Sequence, residues 1–233
     1  MRRLAVVSLA LAAFAVAASA QAAPQVDVMV VGRSAVLREP GAVTLRRTRV
    51  EVGRKRCAVA AATPLAALAR TSVSFALRDY GACSTRPADA AGLYVRAVEG
   101  ERERGRSGWV YKIGRAAPSS GGADPASRLR GGNEVLWFWC RTGKDGCQRT
   151  LLAKPERTSA VPGEALRVTV TGFDDDGKGA RIAGATVTLG TATARTGADG
   201  VATVTVGPET GTLECVATRS GLVRSFAAEV RVS

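Results

Sequence analysis

The chain has 233 residues, 33 Lys and Arg against 20 Asp and Glu, no histidine, and a hydrophobic share of 46%. That length and apolar content support one large or two modest globular domains and argue against disorder. The lack of histidine removes the Ser-His-Asp triad, the usual general base and the commonest zinc ligand together.

Residues 1–20 read as an export signal: Arg2 and Arg3 carry the charge, Leu4 to Val16 form an apolar run, and Ala18-Ser19-Ala20 supplies small residues for cleavage. The run falls short of the roughly 20 residues that a bilayer helix needs, and no second one follows. The expectation is a secreted or extracellular protein, cell-surface associated at most, with no integral membrane segment in the mature chain. Without Arg2 and Arg3 there remain 31 basic and 20 acidic residues, a net charge of +11. The excess is uneven, with 22 Lys/Arg against 11 Asp/Glu over 24–153 and 9 against 9 over 154–233. Such asymmetry predicts two separately composed domains, the first suited to acidic partners. Nucleic acid is not the expected partner, because the arginines are scattered along strands of an exported chain. Their densest cluster runs from Arg46-Arg47-Thr48-Arg49 to Arg54-Lys55-Arg56.

In chain order, Val26 to Val31 reads as a strand, and Ala42 to Leu45 and Thr48 to Val52 as extended segments set off by Pro40-Gly41. Thr63 followed by Pro64-Leu65-Ala66-Ala67-Leu68 is an N-cap and a short helix. Strands at Val73 to Leu77, Leu93 to Val98, Trp109 to Ile113 and Glu134 to Trp139 follow, bounded by turn residues. In the last of these, Val135, Trp137 and Trp139 share one face, and Leu136 and Phe138 the other. A strand apolar on both sides belongs in the middle of a sheet. All three tryptophans and two of the three tyrosines lie between Gly92 and Cys140, which marks a module.

From Arg157 onward the pattern changes to short alternating runs, such as Leu166-Arg-Val-Thr-Val-Thr and Val201-Ala-Thr-Val-Thr-Val, separated by Gly and Asp-Gly turns. That spacing predicts a β-sandwich. The predicted organisation is a signal peptide over 1–20, a first domain over 24–153, a linker over 154–159 and a sandwich over 160–233.

The five cysteines sit at 57, 83, 140, 147 and 215 in a chain predicted to enter an oxidising compartment. An odd count leaves connectivity open, and position narrows it. Cys140 and Cys147 flank the turn-rich Arg-Thr-Gly-Lys-Asp-Gly, whereas Cys57 and Cys83 flank the helix, so each pair is assigned as a disulfide. Cys215 is left as a buried free thiol within a strand or as a half of an intermolecular bridge. The Cys140 to Cys147 gap is wider than a zinc knuckle, and neither metal nor other cofactor is expected.

Over residues 25–152 the order of motifs resembles the transcobalamin-like C-terminal domain family, small β-grasp-type modules of bacterial secreted proteins. The residues that carry the likeness are Thr63 to Leu68, Gly92-Leu-Tyr-Val-Arg-Ala-Val-Glu-Gly100, Gly108-Trp109 with Val110-Tyr111, and Gly131-Gly-Asn-Glu-Val-Leu-Trp-Phe-Trp139. The second domain resembles the carboxypeptidase-regulatory and bacterial Ig-like families through Asp174-Asp-Asp-Gly-Lys-Gly179, Ile182 to Leu189 and Thr196 to Ala202. The implied fold is mainly β: an N-terminal α+β β-grasp-like domain with one short helix, and a C-terminal Ig-like or prealbumin-like β-sandwich. In transcobalamins the first module forms one side of a cobalamin site whose other side is a large helical domain, and this chain has no counterpart of that partner. If the ligand surface is kept, the resemblance places it at Trp109 and Tyr111. The rival reading gives those rings to the core. Asp174 to Asp176 lack the alternating ligand spacing of an EF-hand and read as turn residues.

No nucleophile-elbow or Ser-x-x-Lys pattern surrounds Ser119-Ser120-Gly121-Gly122, and no carboxylate pair stands out, so catalysis is not expected. What remains is a non-enzymatic binding protein for an unknown small molecule, with cobalamin or a related compound as one option. The alternative is a structural or adhesive surface protein holding an anionic wall polymer on its basic face.

Overall fold

A computed structural model describes residues 23–233. The predicted export signal over 1–20 lies outside the described residues. The chain is mainly β, with one short α-helix, and its buried side chains form two large apolar cores and a smaller one between them.

The first core is built by β1 (Gln25–Val31), β2 (Val36–Thr44), β3 (Thr48–Val52), β4 (Lys55–Val59), α1 (Pro64–Leu68), β5 (Phe75–Asp79), β6 (Leu93–Val98), β7 (Glu101–Arg102), β8 (Gly108–Ile113) and β9 (Glu134–Cys140). Its main sheet has the order β2-β1-β9-β8, with β1 and β9 parallel in the middle and antiparallel strands outside. This is the β-grasp arrangement. The hairpin β3–β4 and the small sheet β5-β6-β7 complete the unit. Helix α1 forms where the sequence places it: Thr63 Oγ1 accepts the Ala66 N–H at 3.3 Å, and Pro64 occupies the first turn. All five helical residues are buried against the sheet.

Two sequence expectations change. Pro40-Gly41 does not interrupt the chain, because β2 continues through it as an edge strand. Val28 pairs with Gly41 and Val30 with Arg38, so Glu39 and Pro40 together oppose Met29 in a bulge. Proline is tolerated there because an edge strand leaves one row of N–H groups unpaired. The strand expected at Val73 to Leu77 starts two residues later, at Phe75.

The second core is built by β10 (Thr150–Pro155), β11 (Ser159–Ala160), β12 (Ala165–Phe173), β13 (Gly179–Arg181), β14 (Thr186–Leu189), β15 (Ala192–Arg195), β16 (Val201–Thr205), β17 (Gly211–Thr218) and β18 (Ala228–Val232). Strand β12 pairs with β10 along one edge and with β13 and β16 along the other; the facing sheet has the order β11-β18-β17-β14-β15. Alternate residues point inward, as Leu166, Val168 and Val170 do on β12, and they meet Val187, Leu189 and Val230 of the opposite sheet. Strand β10 overlaps the segment assigned from sequence to the end of the first domain and the linker. It pairs with β12 from Thr150–Phe173 to Pro155–Val168 and buries Leu151 and Ala153 in the sandwich core. Six residues of mixed polarity gave no clear period, so the sequence placed the changeover too late.

The third core explains why β9 is apolar on both faces. Val135, Trp137 and Trp139 face α1 and the first core. Met29, Leu136, Phe138 and Cys140 face the sandwich, where Val223 and Phe226 cover them.

Candidate functional site

Strands β8 and β9 are antiparallel neighbours, so period-two alternation brings their aromatic residues to one face in matched pairs. Trp109 lies opposite Trp139, and Tyr111 opposite Trp137. The Trp109 and Trp139 rings meet edge to face at 5.9 Å, and the Tyr111 and Trp137 rings tilt together at 5.1 Å. Three of the four polar handles are satisfied by the protein. Trp109 Nε1 donates to Glu101 O at 2.6 Å and Trp137 Nε1 to Pro64 O at 3.3 Å. The Tyr111 hydroxyl lies 2.7 Å from Ser120 O and 2.6 Å from Ser127 Oγ. Burial pushes the Tyr111 phenol above its ordinary range, so it stays neutral and donates.

These side chains do not fill the space around them. A pocket of about 250 Å³ is lined by Leu65 of α1, Leu93 of β6, Trp109, Tyr111, Trp137 and the loop through Gly121 and Gly122. No charged side chain lines it. The loop is its roof: Leu65 N–H donates to Gly122 O at 2.7 Å, and Leu129 N–H to Ala62 O at 2.9 Å. A Cβ at position 122 would lie 2.8 Å from the Trp137 ring, so glycine is what lets the roof come this close. The pocket therefore offers ring faces, ring edges and aliphatic walls, which suit an apolar group.

Trp109 and Tyr111, the candidate ligand residues from sequence, are both at this pocket and both buried in the first core. The sequence reading missed Leu65, Leu93 and Trp137 as walls. Their helix, strand and loop come together only in the folded chain. The candidate disulfides are present: Cys57 joins Cys83, and Cys140 joins Cys147. Cys215 is free and buried, and burial pushes its thiol up to about 11. Asp174 and Asp199 act as turn residues: Asp174 Oδ1 accepts the Lys178 N–H at 2.8 Å, and Asp199 Oδ1 the Val201 N–H at 3.0 Å. The basic side chains of the hairpin β3–β4 are exposed and partly tied, with Lys55 3.6 Å from Asp79 and Arg56 3.5 Å from Glu51.

A second polar site joins the two units. Lys112 of β8 is fully buried on the face opposite Trp109 and Tyr111, and its ammonium donates to Phe173 O at 3.1 Å and Asp174 O at 2.7 Å. Asp175 completes it, with Oδ1 3.6 Å from Lys112 Nζ and Oδ2 accepting the Cys147 N–H at 3.0 Å. Burial lowers the Lys112 pKa, and the Asp175 charge pulls it partly back. The signal for this site was visible as a lysine inside the apolar run Trp-Val-Tyr-Lys-Ile.

Among the described residues no helix is long and apolar enough to cross a membrane. No family model matches the chain, and no curated protein matches it. Among solved structures it is similar to the D00-D0 domain of Intimin, at 16% identity over 88% of this chain and 95% of that chain, with a TM-score of 0.27. At that TM-score neither fold nor function passes from one chain to the other.

Proposed function

We propose that this chain is an exported, non-catalytic binding protein that takes a small apolar group into the pocket between Trp109, Tyr111 and Trp137. The observation that carries this reading is the pocket itself: about 250 Å³ of mostly apolar-walled space beside Trp109, Tyr111 and Trp137, whose polar atoms are already bonded within the protein. The motif order that resembles transcobalamin C-terminal domains supports the same face of the module as the ligand side. A whole corrinoid is far larger than this space, so the group that enters is a single ring or a short branched chain. The absence of histidine and of any charged side chain lining the pocket supports binding without chemistry.

Tryptophan fluorescence of the full chain, titrated with indole, a short-chain branched acid and cyanocobalamin, tests the proposal. A saturable change with indole or the acid, abolished by Leu93→Trp filling the pocket, is the expected result. Linear, non-saturating responses to both small compounds would refute it.

A further inference from the structure

A cavity of about 740 Å³ opens between the two units, where the turn joining β1 to β2 meets the connection from β17 to β18. Five arginines line it: Arg33 on that turn, Arg141 after β9, Arg195 ending β15, and Arg219 and Arg224 on the β17–β18 connection. No acidic side chain is among its lining residues. Two of the five are held from behind. The Arg33 guanidinium lies 4.0 Å over the Trp139 ring and donates to Arg102 O at 2.7 Å, while Arg224 donates to both carboxylate oxygens of Glu39 at 2.9 and 2.8 Å. Arg141, Arg195 and Arg219 are exposed, and none forms an ion pair or a side-chain hydrogen bond with any described residue.

Like charges gathered from both units repel one another unless a counter-anion lies between them. Guanidinium forks match phosphate and carboxylate oxygens in bidentate pairs. Their spread over a turn, two strand ends and a connection suits a repeating anion better than a single one. No aromatic side chain lines the cavity, so it has no platform on which a nucleobase would stack.

We propose that this cleft binds a linear polyanion without bases, one that repeats phosphodiester or carboxylate groups and lies across both units. The site uses none of the residues of the apolar pocket and stands or falls separately from it.

The test is fluorescence anisotropy of labelled long-chain polyphosphate and of labelled polygalacturonate with the full chain, over a series of salt concentrations. These two probes separate the phosphate from the carboxylate source. The variant R141A/R195A/R219A is expected to bind the preferred probe about tenfold more weakly and to lower the slope of log affinity against log salt by about three. The equal-charge control R49A/R54A/R70A, on the far hairpin and after α1, is expected to stay within about twofold of the parent. Retained circular dichroism in both variants shows that the fold is intact, and saturating indole is expected to leave polyanion binding unchanged. Equal losses in the two variants, or an oligothymidylate of the same charge binding as tightly as polyphosphate, would overturn the proposal, as would failure of both probes to bind at low salt.

Discussion

The ammonium of Lys112 lies 3.6 Å from Asp175 Oδ1 while donating to the backbone oxygens of Phe173 and Asp174 and to Thr150 Oγ1, so one side chain of β8 hydrogen-bonds three acceptors of the sandwich. An ammonium without exposure is stable only because those acceptors replace water. Replacing Lys112 with Met leaves them facing an apolar tip, and about 3 kcal/mol of stability is expected to be lost. Asp175→Asn is milder, at about 1 kcal/mol, since a third of that side chain is in water and the amide oxygen still accepts from Cys147. Urea denaturation at neutral pH measures both. An Asp175→Asn cost as large as that of Lys112→Met would contradict the assignment of the main role to the carbonyls.

Glu134 gives a pH signature. It begins β9 beside Asp27 of β1, and burial first, then the Asp27 charge, raises its pKa, with Arg115 opposing. A carboxyl whose folded pKa lies above its unfolded value binds more protons when folded. Its stabilising contribution is therefore complete below the unfolded pKa and disappears as pH rises through the folded one. Glu134→Gln is expected to be more stable than the parent at pH 7, by up to about 1 kcal/mol, and to lose the advantage near pH 4. Thermal melts from pH 4 to pH 7 that run parallel for the two proteins would show that the residue is not titrating in this way.

The Cys57–Cys83 disulfide closes a loop with a sequence separation of 26, against 7 for Cys140–Cys147. On the chain-entropy account the longer loop contributes about 3.5 kcal/mol and the shorter about 2.5 kcal/mol. The double replacement Cys57→Ala with Cys83→Ala is thus expected to lower the urea midpoint more than the corresponding change at 140 and 147. The reverse order would assign the larger role to the bridge near the junction.

Cys215 is sealed inside the sandwich with its thiol pushed up to about 11. Thiolate is the reactive form, so a thiol-specific dye is expected to label nothing in the native protein at pH 8 and one cysteine after unfolding without reductant. Rapid native labelling would show that the strand pair β14 and β17 opens.

Much of this architecture was legible in the residues. Thr63-Pro64 announced its helix because cap and proline act locally, and Leu136 to Trp139 announced a middle strand because period two puts apolar atoms on both sides. What could not be read was what lies against each face. Val223 and Phe226 come from more than 80 residues further along the chain to cover Phe138, and Arg33 and Arg219 meet only through that docking. The pocket hides for a similar reason: aromatic residues that fill a core and those that wall a cavity have the same spacing in sequence, and the loop that roofs them decides between the two.

Strand β9 is a wall shared by two rooms. If the chain were cut after residue 153, Met29, Leu136 and Phe138 would lose Val223 and Phe226, and β12 would keep only Lys154 and Pro155 of its partner β10. The first half would carry an uncovered apolar sheet face, the second an open strand edge, and each would be prone to self-association. The two units are therefore expected to melt together, as a single transition in calorimetry of the whole chain.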